Sequence, residues 1–325
     1  MAKKGLLALA MAMVLVAGLG AGCAAPAADD EFPSKPIQVV LFQSAGGGTD
    51  RMIRALAGTW GVYSDVSLRV VNMAGGGGTD GTLFVRDAEP DGYTLLGATS
   101  FVVTAPLFRP DLDMGLEKFR PLFNVTSAPL MLLVPKNSQF NTLQEFVAYA
   151  KTHPGELKYG SSGTGGDLHI GTELFASKAG VQLTHVPLEG GAEQLALMLG
   201  GHLDFNLGSF GTFLPSVKSG DVKCLAVVDT GRHASLPDTP TTIESGVDFL
   251  FPTWRGIMAP AGLSDERAAI LEEIGKKCLE DAGLIAMIKN LGESPTYIAG
   301  QEYKDFVYGM REDVRPVVEA VLAAG

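Results

Sequence analysis

Short β-rich runs recur along the chain, separated by stretches whose apolar residues fall at helical spacing. The runs IQVVLFQ (37–43), VSLRVV (66–71), YTLLGAT (93–99), LMLLVP (130–135), LKYGSS (157–162), LTHVPL (183–188), LDFNLG (203–208) and CLAVVD (224–229) have the length and composition of strands. Residues 51–60, 168–178, 192–199 and 265–281 read as helices. Thr142 and Glu145 form a capping-box signature for a helix over 143–152. Strand then helix, repeated, predicts parallel sheets in an α/β protein. The late helical stretch 302–323 reads as a helix packing the body together rather than one presented to a partner.

The N-terminus breaks this pattern. Lys3 and Lys4 precede an uncharged, apolar stretch over 5–22, which predicts a secretory signal peptide over 1–22. Cys23 follows Ala21 and Gly22, as in a bacterial lipobox, although Gly20 stands where that pattern has Leu and Leu19 comes one place early. The expectation is a lipidated Cys23, with simple cleavage nearby as the alternative, a flexible tether over 23–32, and a periplasmic or otherwise extracytoplasmic body held to a membrane by lipid. No second apolar stretch is long enough to span a bilayer. Cys224 and Cys278 remain. The compartment permits a disulfide, but one lies in a strand-like run and the other on a helix-like face, so separate thiols are expected.

Composition narrows the function. Of 325 residues, 46% are apolar, enough for a sizeable core. The net charge of −11, or −13 once residues 1–22 and their two lysines are removed, argues against a nucleic-acid binder. Length points to about two domains. These are placed as lobe 1 over 33–133 and 250–325, and lobe 2 over 134–249. The 41 glycines are clustered, which marks backbone conformations a Cβ forbids, or backbone that something approaches closely.

Three loops share one design of strand, glycine cluster and helix. They are Ser44-Ala45-Gly46-Gly47-Gly48-Thr49-Asp50, Gly75-Gly76-Gly77-Gly78-Thr79-Asp80 and Ser161-Ser162-Gly163-Thr164-Gly165-Gly166-Asp167. Glycine turns aim backbone N–H groups at one point, and a helix start adds unpaired N–H groups and the positive end of its dipole. Together they make an anion site without Lys or Arg. Asp50, Asp80 and Asp167 fit as helix-start residues; alternatively one faces the cleft and holds a ligand ammonium, a hydroxyl or a water. No phosphate loop ending in Gly-Lys-Ser/Thr appears, nor dinucleotide spacing. The histidines lack metal-site spacing, and the serines lack a nucleophile elbow. Neither cofactor nor metal is expected, and no enzymatic activity.

The order of motifs resembles the extracytoplasmic solute receptors of tripartite tricarboxylate transporters, the Bug family, from about Pro33 to the C-terminus. The matching pieces are PSKPIQVV (33–40), GGGTD (46–50), the loop 75–78, PDGYTLL (90–96), the long segment 141–175, THVPLEGGAEQLALMLGGHLDF (184–205), LPDTPTTIESG (236–246) and APAGL (259–263). The resemblance implies a two-lobed, type II periplasmic-binding-protein-like α/β fold with a ligand cleft between the lobes. Carried onto this chain, it points to Ser44, Gly46, Gly47 and Asp50 of the first loop, Gly77 of the second, and Thr99, Ser100 and Phe101 after PDGYTLL. It points further to Ser161, Ser162, Thr164 and Gly165, and to His169. The family's proline-rich first loop becomes Phe42-Gln43-Ser44-Ala45-Gly46-Gly47 here, and its Val-Pro-Tyr-Lys-Gly becomes Val186-Pro187-Leu188-Glu189-Gly190, so Leu188 and Glu189 replace an aromatic residue and a cation. Asn206 and Ser209 of the later strand complete the candidate set.

The expected function is capture of a small organic carboxylate by backbone and hydroxyl donors, with closure about a hinge near 131–136 and 246–254. The closed, monomeric receptor would dock on membrane permease subunits. A ligand-presenting sensory receptor for a two-component system is the alternative. The lost Lys and gained Glu argue against a highly charged tricarboxylate and for a monocarboxylate, an amino acid or an amide-bearing acid.

Overall fold

The structure, a computed structural model, describes residues 32–324 apart from position 252. The expected signal peptide, Cys23 and the tether as far as residue 31 lie outside the described residues. In chain order the elements are β1 (Ile37–Leu41), α1 (Gly48–Tyr63), β2 (Leu68–Asn72), α2 (Thr79–Arg86), β3 (Thr94–Thr99), α3 (Phe101–Phe108), β4 (Phe119–Ala128), β5 (Leu130–Pro135), α4 (Leu143–Thr152), β6 (Lys158–Ser161) and α5 (Asp167–Ala179). There follow β7 (Thr184–Pro187), α6 (Gly191–Leu199), β8 (Phe205–Ser209), α7 (Phe210–Lys218), β9 (Val222–Val228), β10 (Thr253–Pro260), α8 (Asp265–Glu280), α9 (Ala282–Asn290), β11 (Ser294–Pro295) and α10 (Gly300–Ala324).

These strands build two sheets, the cores of two lobes. One has the order β11-β4-β10-β3-β1-β2 and the other β7-β6-β8-β5-β9. The expected parallel pairing is present, but each sheet also contains antiparallel strands. The pairs β1/β2, β1/β3, β6/β7 and β6/β8 are parallel, as strand–helix–strand repetition dictates. However, β10 runs antiparallel between β3 and β4, and β5 antiparallel between β8 and β9. The chain enters the second sheet through β5 directly after β4 and returns to the first through β10, and a strand arriving from the other lobe need not follow the helical crossover that enforces a parallel neighbour.

The unbroken apolar run of β5 follows from burial on both faces. Leu130, Leu132 and Val134 pack with Phe146, Phe175 and Phe205, whereas Met131 and Leu133 face Met198, Phe210 and Phe213. Alternation of side chains along the strand separates the two sets. The capping box at Thr142 forms as the sequence predicts: the Glu145 N–H donates to Thr142 Oγ1, and the Glu145 carboxylate accepts from the Thr142 N–H.

Helix α10 belongs to both lobes. Tyr303, Val307, Met310 and Val314 pack in the core beside the first sheet with Trp254 and Phe101. One turn later Val318, with the partly buried Val317 and Val321, packs in the core of the second. Pro316 lies between the two sets and withholds a backbone donor where the helix passes from one core to the other. Cys224 and Cys278 are free thiols. Among the described residues, no helix is long and apolar enough to cross a membrane.

Candidate functional site

Strands end and helices begin around one narrow cavity between the sheets, with a volume of about 50 Å³. At the carboxyl ends of β1, β6, β7 and β8, loops lead into α1, α5, α6 and α7, and residues from the first turns of all four helices line the cavity. This is where parallel α/β sheets place ligands. Three of these starts have glycine at the cap, Gly47, Gly166 and Gly190, and at none of the four does the cap residue's own side chain accept a hydrogen bond from the helix. Gly48 N–H donates to Thr212 Oγ1 at 2.7 Å, so one donor of α1 is already used by the opposite lobe. The remaining first-turn donors and the aligned dipoles favour negative charge.

Polar side chains complete the wall: Gln43, Thr99, Ser162, Gln194, Ser209, Thr212 and Thr253, with Asp50, Asp167 and Arg255. Gln43 Oε1 is a buried acceptor without a partner among the described residues. Arg255 comes from β10, opposite Thr99 in the sheet register. Its Nη1 donates to Glu293 Oε2 at 2.5 Å and its Nε to Thr49 Oγ1 at 3.3 Å. Asp50 accepts from the Gly46 N–H and from Arg54 Nε, each at 2.9 Å. Burial pushes its carboxyl up, but these bonds outweigh burial and hold it below the ordinary carboxylate value. Asp167 accepts from Ser100 Oγ at 2.8 Å, a bond that ties the two lobes together.

Behind the wall, fully buried Asn206 organises the second lobe's contribution. Its Oδ1 accepts from the Gly160 N–H, and its Nδ2 donates to Gln194 Oε1 at 2.8 Å. Gln194 Nε2 in turn donates to Ser162 Oγ at 3.2 Å. Ser162 is therefore aimed by two buried amides. The histidines support the same loop from below. His169 Nδ1 accepts from the Gly165 N–H at 3.0 Å, and His185 Nε2 meets Ser161 Oγ at 2.7 Å, while the two rings stack with centroids 4.1 Å apart. Burial pushes both imidazoles down to about 4, and for His185 the neighbouring His169 lowers it further. They are neutral props.

The structure brings Gly47, Asp50, Thr99, Ser162 and Ser209 to the cavity, from among the residues named by sequence. Ser100, Ser161, Gly165, His169 and Asn206 stand behind it and hold its walls. Phe101 packs on Phe42, ring centroids 4.5 Å apart, within the first lobe's core. Ser44 and Gly46 contribute backbone: Ser44 N–H reaches the Glu189 carbonyl across the cleft, and Gly46 N–H caps Asp50. Gly77, Thr164, Leu188 and Glu189 line a separate, shallower hollow of about 260 Å³ with Arg109.

Sequence reasoning missed Gln194, Thr212, Thr253 and Arg255. The expectation that no basic side chain attends the site is therefore corrected by Arg255. Its signal was weak because TWRG (253–256) contains none of the glycine-loop pattern that carried the other assignments. Gln194 was recoverable in principle, as a polar residue on the inward face of a helix that opens from a glycine turn.

Residues 65–322 match the family model described as the tripartite tricarboxylate transporter family receptor. The chain is 30% identical to a UPF0065 protein from the gbd 5' region of Cupriavidus necator over 98% of both chains. Among solved structures, the periplasmic binding protein BugD superimposes with a TM-score of 0.83 at 27% identity, over 90% of this chain and 99% of that one. MatC from Rhodopseudomonas palustris with bound malate gives 0.79 at 25% identity, and a second R. palustris protein, with adipate, gives 0.82 at 25%; each match covers 89% of this chain and 98% of the other. These are solute-binding receptors rather than enzymes. The chain belongs to the tripartite tricarboxylate transporter receptor family of periplasmic binding proteins.

Proposed function

We propose that this receptor captures a small organic carboxylate in the cavity between its lobes and presents it to membrane permease subunits. The observation that carries this reading is the convergence of four helix starts, without side-chain caps, on one cavity that also holds a guanidinium. Malate and adipate in related structures support a carboxylate as the class of guest.

Capture proceeds by closure. The hydroxyls of Thr99, Ser162 and Ser209 and the N–H groups of Gly47 and the α5 start meet the carboxylate. Burial strengthens these contacts because water no longer competes. Hydrogen bonds between lobes, Gly48 to Thr212, Arg51 to the Gly211 carbonyl and Ser100 to Asp167, then hold the closed form. The two lobes move about the connections between the sheets, from β4 to β5 and from β9 to β10. The receptor acts as a monomer, exported by residues 1–22 and tethered through a lipid on Cys23.

Native mass spectrometry of freshly purified protein tests the reading. A co-purified small acid, displaced on dialysis and restored with quenching of the cavity-lining Trp254, is the expected result. Neutral or cationic guests alone would contradict it.

A further inference from the structure

The charges around the cavity do not suit a multiply charged guest. Arg255 is 5% exposed, with Nη1 and Nε engaged by Glu293 and Thr49. Its Nη2 has no hydrogen-bond partner among the described residues and lies beside Gly48, where an added Cβ would approach it to 3.0 Å. Behind the guanidinium, Glu293 is buried; its Oε2 also accepts from Thr126 Oγ1 at 2.8 Å. The Arg255 charge is thus compensated within the protein. Asp50 is compensated by Arg54. Asp167, on the cavity wall, has no ion-pair partner among the described residues and is met only by Ser100 and the Leu168 N–H. The balance is one negative charge before any ligand enters.

We propose that Arg255 Nη2 is the cationic contact for the ligand carboxylate, and that Glu293, acting through Arg255, restricts the cavity to small monoanionic acids. The inference rests on the reading of this cavity as a carboxylate site. The first carboxylate finds one unengaged guanidinium edge among the helix starts. A second would meet the uncompensated Asp167 in a closed, poorly screened space where like charges are disfavoured. Size agrees with a small guest, since the cavity is only about 50 Å³. Glu293 is a positioning residue: it fixes the guanidinium plane so that Nη2 faces inward, and it cancels the charge that would otherwise welcome a dianion.

Calorimetric titration with propionate, lactate, malate, adipate and propionamide tests this. Wild type should bind a monocarboxylate at least tenfold more tightly than either dicarboxylate, and propionamide weakly. Arg255→Gln should weaken monocarboxylate binding thirtyfold or more. The Arg255→Gln/Glu293→Gln double variant, which leaves no lone buried charge, should do the same while its melting temperature stays near that of wild type. Glu293→Gln should shift the dicarboxylate-to-monocarboxylate affinity ratio upward at least tenfold, which loss of a merely structural contact would not do. A double variant with wild-type affinity, an unchanged ratio in Glu293→Gln, or a wild type preferring dicarboxylates overturns this inference while leaving the carboxylate reading intact. A wild type that binds no carboxylate overturns both.

Discussion

Gly77 and Gly163 meet backbone to backbone across the cleft: a Cβ on Gly77 would lie 3.1 Å from the Gly163 Cα. Both glycines have positive φ, +67° and +94°, so each is required twice, for its conformation and for the closeness of the other chain. The second glycine loop thus acts as a stop for the third rather than as part of the inner cavity.

Gly163→Ala should consequently disfavour the closed form. Forcing a side chain into the left-handed region costs roughly 1–2 kcal/mol, and its methyl collides with the Gly77 carbonyl. Affinity measured by calorimetry should fall about tenfold, with an unchanged far-ultraviolet dichroism spectrum. Wild-type affinity would show that the two loops need not touch for binding.

Asn206→Leu removes the centre of the buried amide chain. The Gly160 N–H and Gln194 Oε1 lose their partners, and each buried orphan costs about 1–3 kcal/mol. Urea unfolding should show a loss of about 2–4 kcal/mol, accompanied by weaker binding because Ser162 is no longer aimed. An effect below half a kilocalorie would contradict the network.

The histidine props give a signed pH dependence. His169 and His185 titrate near 4 in the folded protein, below their ordinary 6.5, so the unfolded chain takes up protons first on acidification. Their contribution is fully present above pH 6.5 and is lost as pH falls from 6.5 toward 4. The urea midpoint should decline across that window, and His169→Gln should flatten the decline. A midpoint that rises on acidification between 6.5 and 4 would contradict the assignment.

Helix α10 couples the lobes. Val318→Ala should cost about 2 kcal/mol through the cavity it leaves in the second core. Deleting residues 316–325 should split the calorimetric transition into two, because Val317, Val318 and Val321 no longer tie the second core to the first. A single sharp transition after deletion would show that the sheets are coupled by other contacts.

The strands and helices with clean periodicity were legible because local pattern and tertiary environment agree. β5 is continuous in apolar residues since both faces are buried, and the helix after Thr142 is announced by its own cap. β4 and β10 were not anticipated, because their partners lie far away in sequence: Arg255 pairs with Thr99 and Thr126. Helices α3 and α7 contain Pro106 and Pro215 and β-branched or aromatic residues, which local propensity counts against a helix. For the site, the glycine turns were visible as positions where backbone must be free. Arg255 and Glu293 were not, because their meaning comes from a contact spanning 38 residues and two intervening helices.

A crystal structure with whichever small acid co-purifies tests the central claim most directly. The account predicts carboxylate oxygens within about 3 Å of donors at the starts of α1, α5, α6 or α7. An acid seated only in the outer hollow of Arg109 and Glu189, with water alone in the inner cavity, would contradict it.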